Sequence, residues 1–167
     1  MARDKDIVLE VKNLYKLYGV NRNAAMELLK KGAGRSEVLK QTGVTAAVNN
    51  VSFEVERGKI FVLIGLSGSG KSTVVRCINM LQNPTAGSIL FEGQDVRKLK
   101  KKELLDFRRH KVSMVFQNYG LMSHRDVLGN VAYGLEVRGV PREEREARAH
   151  EIIDMVGLSG WEKKNPS

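Results

Sequence analysis

Eight residues, Gly-Leu-Ser-Gly-Ser-Gly-Lys-Ser at positions 65–72, most constrain what this chain can fold into. They fit the pattern G-x-x-x-x-G-K-[ST], which is typical of a loop between a strand and a helix. Residues 60–64 before it are all apolar, as is typical of a central parallel strand covered on both faces. Residues 73–81 after it carry apolar side chains at helical spacing. The sequence therefore predicts a strand, a glycine-rich loop and a helix in succession.

The residue types of this loop suit the phosphates of a nucleotide. Successive backbone N–H groups in such a loop, and the free N–H groups of the helix start, can point at phosphate oxygens. Glycine permits the backbone angles and the close approach that this requires. We predict that Lys71 reaches the β- and γ-phosphates and that the Ser72 hydroxyl ligates Mg²⁺. The predicted phosphate-binding residues are Gly65, Ser67, Gly68, Ser69, Gly70, Lys71, Ser72 and Thr73.

Length and cysteine content add further limits. A chain of 167 residues is about one domain and can bury a core. It has no apolar run approaching the eighteen or so residues of a membrane span, and its N-terminus lacks the apolar core of a signal peptide. We therefore expect a cytoplasmic protein. Cys77 is the only cysteine, and we expect it to be a buried residue of the helix after the loop.

The net charge of +9 has one obvious source, a basic cluster between residues 97 and 111. Leucine and phenylalanine side chains interleave with the charges, which indicates one amphipathic helix with its basic side outward. A basic face can also bind nucleic acid or an anionic membrane surface. Because the sequence contains no recognisable nucleic-acid-binding motif, no nucleic-acid partner is expected.

Four further segments are predicted to be strands. Apolar residues alternate at the start of residues 7–18, and strand character returns at residues 51–55. Residues 88–91, between two turns, and residues 112–116, after the basic cluster, complete the set.

Residues 21–43 differ from the strands on either side, because they predict two short helices. Ser36 is the predicted cap of the second helix, which is expected to end at Gly43. This pair is predicted to be an insertion outside the nucleotide-binding core. A last helix is predicted to start at Pro141 and to stop at Gly157.

Three segments together resemble the ATP-binding subunit of ABC transporters. They are the glycine loop continued to Thr73, the strand end Met-Val-Phe-Gln at 114–117, and Val-Leu-Gly-Asn-Val at 127–131. The resemblance covers essentially the whole chain. It implies ATP as the nucleotide, with Mg²⁺, and an α/β fold of the P-loop NTPase class. That fold has an antiparallel β part at its N-terminus and the start of a helical subdomain over residues 118–167.

Two features are similar to the importers of glycine betaine, proline and related quaternary amines within that family. One is the helical insertion, and the other is the loop Gln-Asn-Tyr-Gly-Leu-Met-Ser-His at 117–124. Position 123 is usually proline in that subfamily and is Ser123 here. The resemblance implies that ATP hydrolysis drives import of such a solute.

The resemblance also assigns roles to individual residues. Tyr18 matches the aromatic residue that stacks on adenine, and Gln117 matches the glutamine that senses Mg²⁺ and the attacking water. Lys71 and Gln117 are thus the predicted catalytic residues, and Ser72 and Gln117 the predicted metal-binding residues. The loop that contains His124 is expected to face a membrane-spanning permease subunit. A solute-binding protein and a second ATPase subunit are the other expected partners, which puts the protein on the inner face of the cell membrane.

Three parts of the family pattern do not occur in these 167 residues: the Leu-Ser-Gly-Gly signature, the acidic pair of a later strand, and the switch histidine beyond it. We therefore expect this chain to be the N-terminal portion of one ATP-binding domain, truncated at residue 167. By itself it should bind Mg-nucleotide weakly and hydrolyse little ATP. Two alternatives stay open, a nucleotide-binding module without turnover and a soluble ABC ATPase that acts on nucleic acid.

Overall fold

The computed structural model describes residues 6–117 and 120–166. It divides into two compact units, with the boundary between Leu105 and Asp106. Asn118 and Tyr119 of the predicted partner loop, together with Ser167, lie outside the described residues.

The first unit is built on a four-stranded antiparallel sheet. The strands are β1 (Ile7–Tyr18), β2 (Thr45–Glu56), β3 (Ala86–Phe91) and β4 (Gln94–Asp95), in the order β2-β1-β3-β4. All neighbouring pairs are antiparallel. The predicted strands at 7–18, 51–55 and 88–91 are thereby confirmed.

The buried face of β1 departs from strict alternation. Val11, Leu14 and Leu17 are its fully buried side chains, three residues apart instead of two. Its pairing with β2 shifts register between Val11 and Leu14, where Asn13 has a positive φ of 47°. An extra residue of this kind lets the strand bend and returns the apolar side chains to the same face.

Two helices, α1 (Arg22–Lys30) and α2 (Arg35–Thr42), connect β1 to β2 and confirm the predicted helical pair. Apolar residues of both helices form a buried cluster with the sheet that contains Leu17, Ala25, Leu29, Val38, Val44 and Ala46. Gly43 ends α2 with a φ of 69°, as expected of a left-handed helix stop. The predicted cap is wrong, because Ser36 lies inside α2, whose first flanking residue is Gly34.

Two predicted strands are wrong. Residues 60–64 and 112–116 both belong to the described part of the chain, and neither segment has strand structure. In that part of the chain all four strands belong to the antiparallel sheet, so neither segment has a parallel neighbour. A central parallel strand requires hydrogen-bonding partners at its edges, and here Ile60 and Ile64 are each 92% exposed.

The helix after the glycine loop is α3 (Lys71–Ile78), slightly shorter than the sequence predicts. Val74 and Cys77 are its buried residues, which confirms the expected burial of the single cysteine. Burial raises the pKa of the Cys77 thiol and so keeps it in its less reactive protonated form.

The basic cluster does not form the single helix that the sequence predicts, because it is divided between a 3₁₀ turn (Val96–Lys98) and the helix α4 (Lys101–His110).

The second unit contains α5 (Val127–Val137) and α6 (Arg142–Met155), which contact each other. The start and stop predicted at Pro141 and Gly157 flank α6 as expected.

A salt bridge links Arg125, which lies just before α5, to Glu136 in the last turn of that helix. Arg125 donates to both carboxylate oxygens of Glu136, at 2.9 and 3.0 Å. These hydrogen bonds lower the pKa of Glu136 and raise that of Arg125.

Among the described residues, no helix is both long and apolar enough to cross a membrane.

Candidate phosphate-binding cleft

The glycine loop runs closely against β2 before it enters α3. Gly68 and Gly70 adopt left-handed φ angles of 75° and 100°. A Cβ atom on Gly70 would lie 2.1 Å from the carbonyl oxygen of Ala47 on β2, whereas one on Gly68 would meet nothing within 4 Å. Glycine is therefore required at position 70 both by backbone angle and by space.

Lys71 is the first residue of α3, and its ammonium group is surrounded by the loop. It donates hydrogen bonds to the carbonyl oxygens of Gly65 at 2.7 Å and Leu66 at 2.8 Å, and a longer one to Ser69 Oγ at 3.4 Å. These contacts curl the loop around the ammonium. The lysine thus lies where the loop and the beginning of α3 meet, the place at which the motif puts a phosphate.

A cleft of about 370 Å³ opens beside this loop. Its walls come from α2, from the beginning of β2 and from the loop with the first turn of α3; the lining residues are Arg35, Ser36, Leu39, Thr45, Ala46, Ala47, Gly68, Ser69, Gly70, Lys71, Ser72 and Thr73. The lining carries two cationic side chains and no carboxylate. A cleft of this size with a positively charged lining suits a polyanionic small molecule.

Tyr18 lies at the end of β1, next to the cleft wall. It pairs across the sheet with Thr45, which lines the cleft. Its hydroxyl donates to the Gln82 side-chain oxygen at 2.6 Å, and Lys16 Nζ lies 4.8 Å from its ring centroid. The ring is thus held at both its edge and one face while the side chain stays 40% exposed.

The structure brings together six of the eight predicted loop residues, since positions 68–73 all line the cleft. Gly65 accepts a hydrogen bond from Lys71, and Ser67 is exposed in the turn before the cleft. Gln117 is exposed in a turn of the second unit, as is His124. The roles of these two residues stay predictions.

The sequence did not identify α2 as a wall of the cleft. Arg35 and Ser36 line it, and the two terminal nitrogens of Arg35 lie 3.4 and 3.5 Å from the Ser69 carbonyl oxygen. No local motif marks these residues, and the insertion was expected to lie outside the nucleotide-binding core. Only the packing of α2 against β1 and β2 places Arg35 beside the loop.

The residues present fit a magnesium nucleotide. The glycines allow the backbone to approach the phosphates, and the cationic lining matches their charge. Mg²⁺ is commonly held by one or two protein oxygens together with substrate phosphates and water. The exposed Ser72 hydroxyl at the start of α3 can supply such an oxygen, and the described residues contain no cluster of three or more His, Cys, Asp or Glu that could hold a metal.

Known proteins are similar to this chain in sequence and in structure. It is 48% identical over 159 residues to the glycine betaine/carnitine transport ATP-binding protein GbuA of Listeria monocytogenes, covering 95% of this chain and 40% of that protein. It is 45% identical over 163 residues to the glycine betaine transport ATP-binding protein OpuAA of Bacillus subtilis, covering 98% and 39%. The chain thus spans about 40% of the length of these relatives.

A solved ATP-binding cassette, a dimer bound to ADP and inorganic phosphate, superposes on 95% of this chain with a TM-score of 0.75 and 27% identity. The chain covers 61% of that cassette. The sequence profile of the ABC transporter family matches residues 48–167, which include the glycine loop, Lys71 and Gln117. The chain therefore belongs to the ABC transporter family, in its ATP-binding component.

Proposed function

We propose that the protein is the ATP-hydrolysing subunit of an importer of glycine betaine or related quaternary amines. The observation that carries the nucleotide part is the cationic cleft built by the glycine loop around Lys71. A triphosphate is the ligand whose charge and shape match this lining. Hydrolysis is proposed because the family comprises ATPases, in which positioning and charge stabilisation drive phosphoryl transfer.

The proposed solute class is supported by how much of the chain different relatives match. The relative named for glycine betaine and carnitine and one named for trimethylamine N-oxide, from Ruegeria pomeroyi, both align with 95% of the chain. A methionine import ATP-binding protein of Halalkalibacterium halodurans is 45% identical but aligns with only 75%. The alignments with the transporters of trimethylated amines therefore extend over about a fifth more of the chain than the alignment with the methionine relative, and this favours a quaternary amine.

Each site residue has a proposed task. Lys71 binds the β- and γ-phosphates, and the backbone N–H groups of the loop hold the remaining phosphate oxygens. The Ser72 hydroxyl ligates Mg²⁺, which when bound would neutralise phosphate charge. Tyr18 stacks on adenine. Gln117 orients the attacking water, because a neutral amide can both donate and accept hydrogen bonds.

The proposed partners follow from the same function. The loop at 117–124, with His124, would contact a membrane-spanning permease subunit, and a solute-binding protein would deliver the amine. A second ATPase subunit would complete the ATP site in the full-length protein. The ATPase would then work on the inner face of the membrane.

Solute uptake tests this proposal directly. Deleting the gene should abolish most high-affinity uptake of labelled glycine betaine and leave methionine uptake unchanged, because the proposed subunit powers only the amine importer. Uptake of both labelled solutes is measured in the host strain, with and without the gene restored on a plasmid. Loss of methionine uptake with normal glycine betaine uptake would overturn the solute assignment.

A second test concerns adenine stacking by Tyr18. Tyr18→Ala is expected to weaken ATP binding severalfold, because stacking of a base on an aromatic ring contributes on the order of 1 kcal/mol. Tyr18→Phe and Tyr18→Trp should bind ATP nearly as well as the wild type, since both retain a ring. Dissociation constants from isothermal titration decide the point. Equal affinity in all three variants would rule out the stacking role, and an equal loss in Tyr18→Phe would assign the effect to the hydroxyl bond with Gln82.

A further inference from the structure

The insertion helix α2 reaches the phosphate loop through Arg35. This arginine is the first residue of α2, and its two terminal nitrogens face the Ser69 carbonyl oxygen at 3.4 and 3.5 Å. Both distances exceed the usual N–H···O range of 2.7 to 3.2 Å. The guanidinium is therefore close to the loop without being held firmly by it, unlike Lys71, whose ammonium makes two contacts below 3 Å.

The charge of Arg35 is not compensated by an acid in the described part of the chain. Some arginines there have carboxylate partners, such as Arg57 with Asp6 and Glu92. Arg35 forms no ion pair with any described residue, and the cleft that it shares with Lys71 has no acidic lining. Two cations in one cleft repel each other, so a bound polyanion would relieve that repulsion.

We propose that Arg35 is a second phosphate-binding cation of this cleft, beside Lys71, and that the two-helix insertion is therefore part of the nucleotide site. The inference rests on the nucleotide binding proposed above. A guanidinium offers two parallel N–H donors that match two oxygens of a phosphate. On this view Arg35 exchanges its long contacts with the Ser69 carbonyl for charge-assisted hydrogen bonds to the ligand.

The test is nucleotide affinity in the full-length protein, measured by displacement of a fluorescent ATP analogue with ATP, ADP or adenosine. Arg35→Ala should weaken binding of ATP and ADP on the order of tenfold and leave adenosine binding unchanged. Arg35→Lys should recover part of the loss. Lys40→Ala is the matched control, because Lys40 is an exposed cation of the same helix that does not line the cleft.

Each outcome decides between explanations. Equal losses in Arg35→Ala and Lys40→Ala would overturn the proposal in favour of general electrostatic attraction. A loss of adenosine binding equal to that of ATP would also overturn it, because the effect would not depend on phosphate. Wild-type affinity in Arg35→Ala together with a loss in Lys71→Ala would refute only the role of Arg35. Wild-type affinity in both variants would refute the proposed nucleotide site itself.

Discussion

Replacement of Lys71 by alanine is expected to lower ATP hydrolysis by the full-length protein about a hundredfold or more. Its ammonium lies at the junction of the loop and α3, where the motif places the β- and γ-phosphates. Removing one preorganised group that stabilises developing charge commonly lowers turnover by a factor of about 10²–10³. Phosphate release from purified wild type and variant, at saturating ATP and Mg²⁺, gives the measurement.

The matched control is Lys59→Ala, which removes an exposed lysine of the same unit that does not line the cleft. Its turnover should equal that of the wild type. Equal turnover in Lys71→Ala would mean that Lys71 does not act on the phosphates. If the wild type binds ATP and releases no phosphate, the protein is a nucleotide-binding module without turnover, which is the alternative that the sequence leaves open.

Among alanine substitutions of the loop glycines, Gly70→Ala is expected to lower the stability of the fold the most. The new Cβ would lie 2.1 Å from the Ala47 carbonyl oxygen, and the residue would also have to keep a φ of 100°. A left-handed conformation costs an L-residue about 1–2 kcal/mol, and forcing extra volume into a packed site adds about 1–3 kcal/mol. We expect a loss of about 3 kcal/mol in the free energy of unfolding, or a displaced loop that no longer binds nucleotide.

Gly68→Ala separates the two causes, because Gly68 has a similar φ of 75° but a Cβ there would meet nothing within 4 Å. It should lose only about 1 kcal/mol, the conformational part of the effect. Urea unfolding of both variants and their nucleotide affinities provide the comparison. Equal effects in the two variants would show that the contact with β2 contributes nothing.

The sequence determined the features that depend on short stretches of chain. The glycine loop could be recognised because its spacing serves one kind of ligand contact. Alternating apolar residues identified β1, and the helix stop at Gly43 followed from the freedom of glycine to adopt a positive φ. The pair α1 and α2 was predictable for the same reason, since periodicity and glycine punctuation are local signals.

Only the tertiary structure decided which of these segments meet. The apolar residues 60–64 suit a central strand, yet a strand exists only where another strand satisfies its backbone groups, and in the described chain none does so. Likewise, nothing near Arg35 in the sequence indicates the phosphate loop, which begins 30 residues later at Gly65. Burial of Ala25, Leu29 and Val38 against the sheet orients the insertion, and that long-range packing brings the Arg35 guanidinium to Ser69. Local patterns thus define the loop and its helix, whereas the opposite wall of the cleft depends on side chains that contact one another only after the chain has folded.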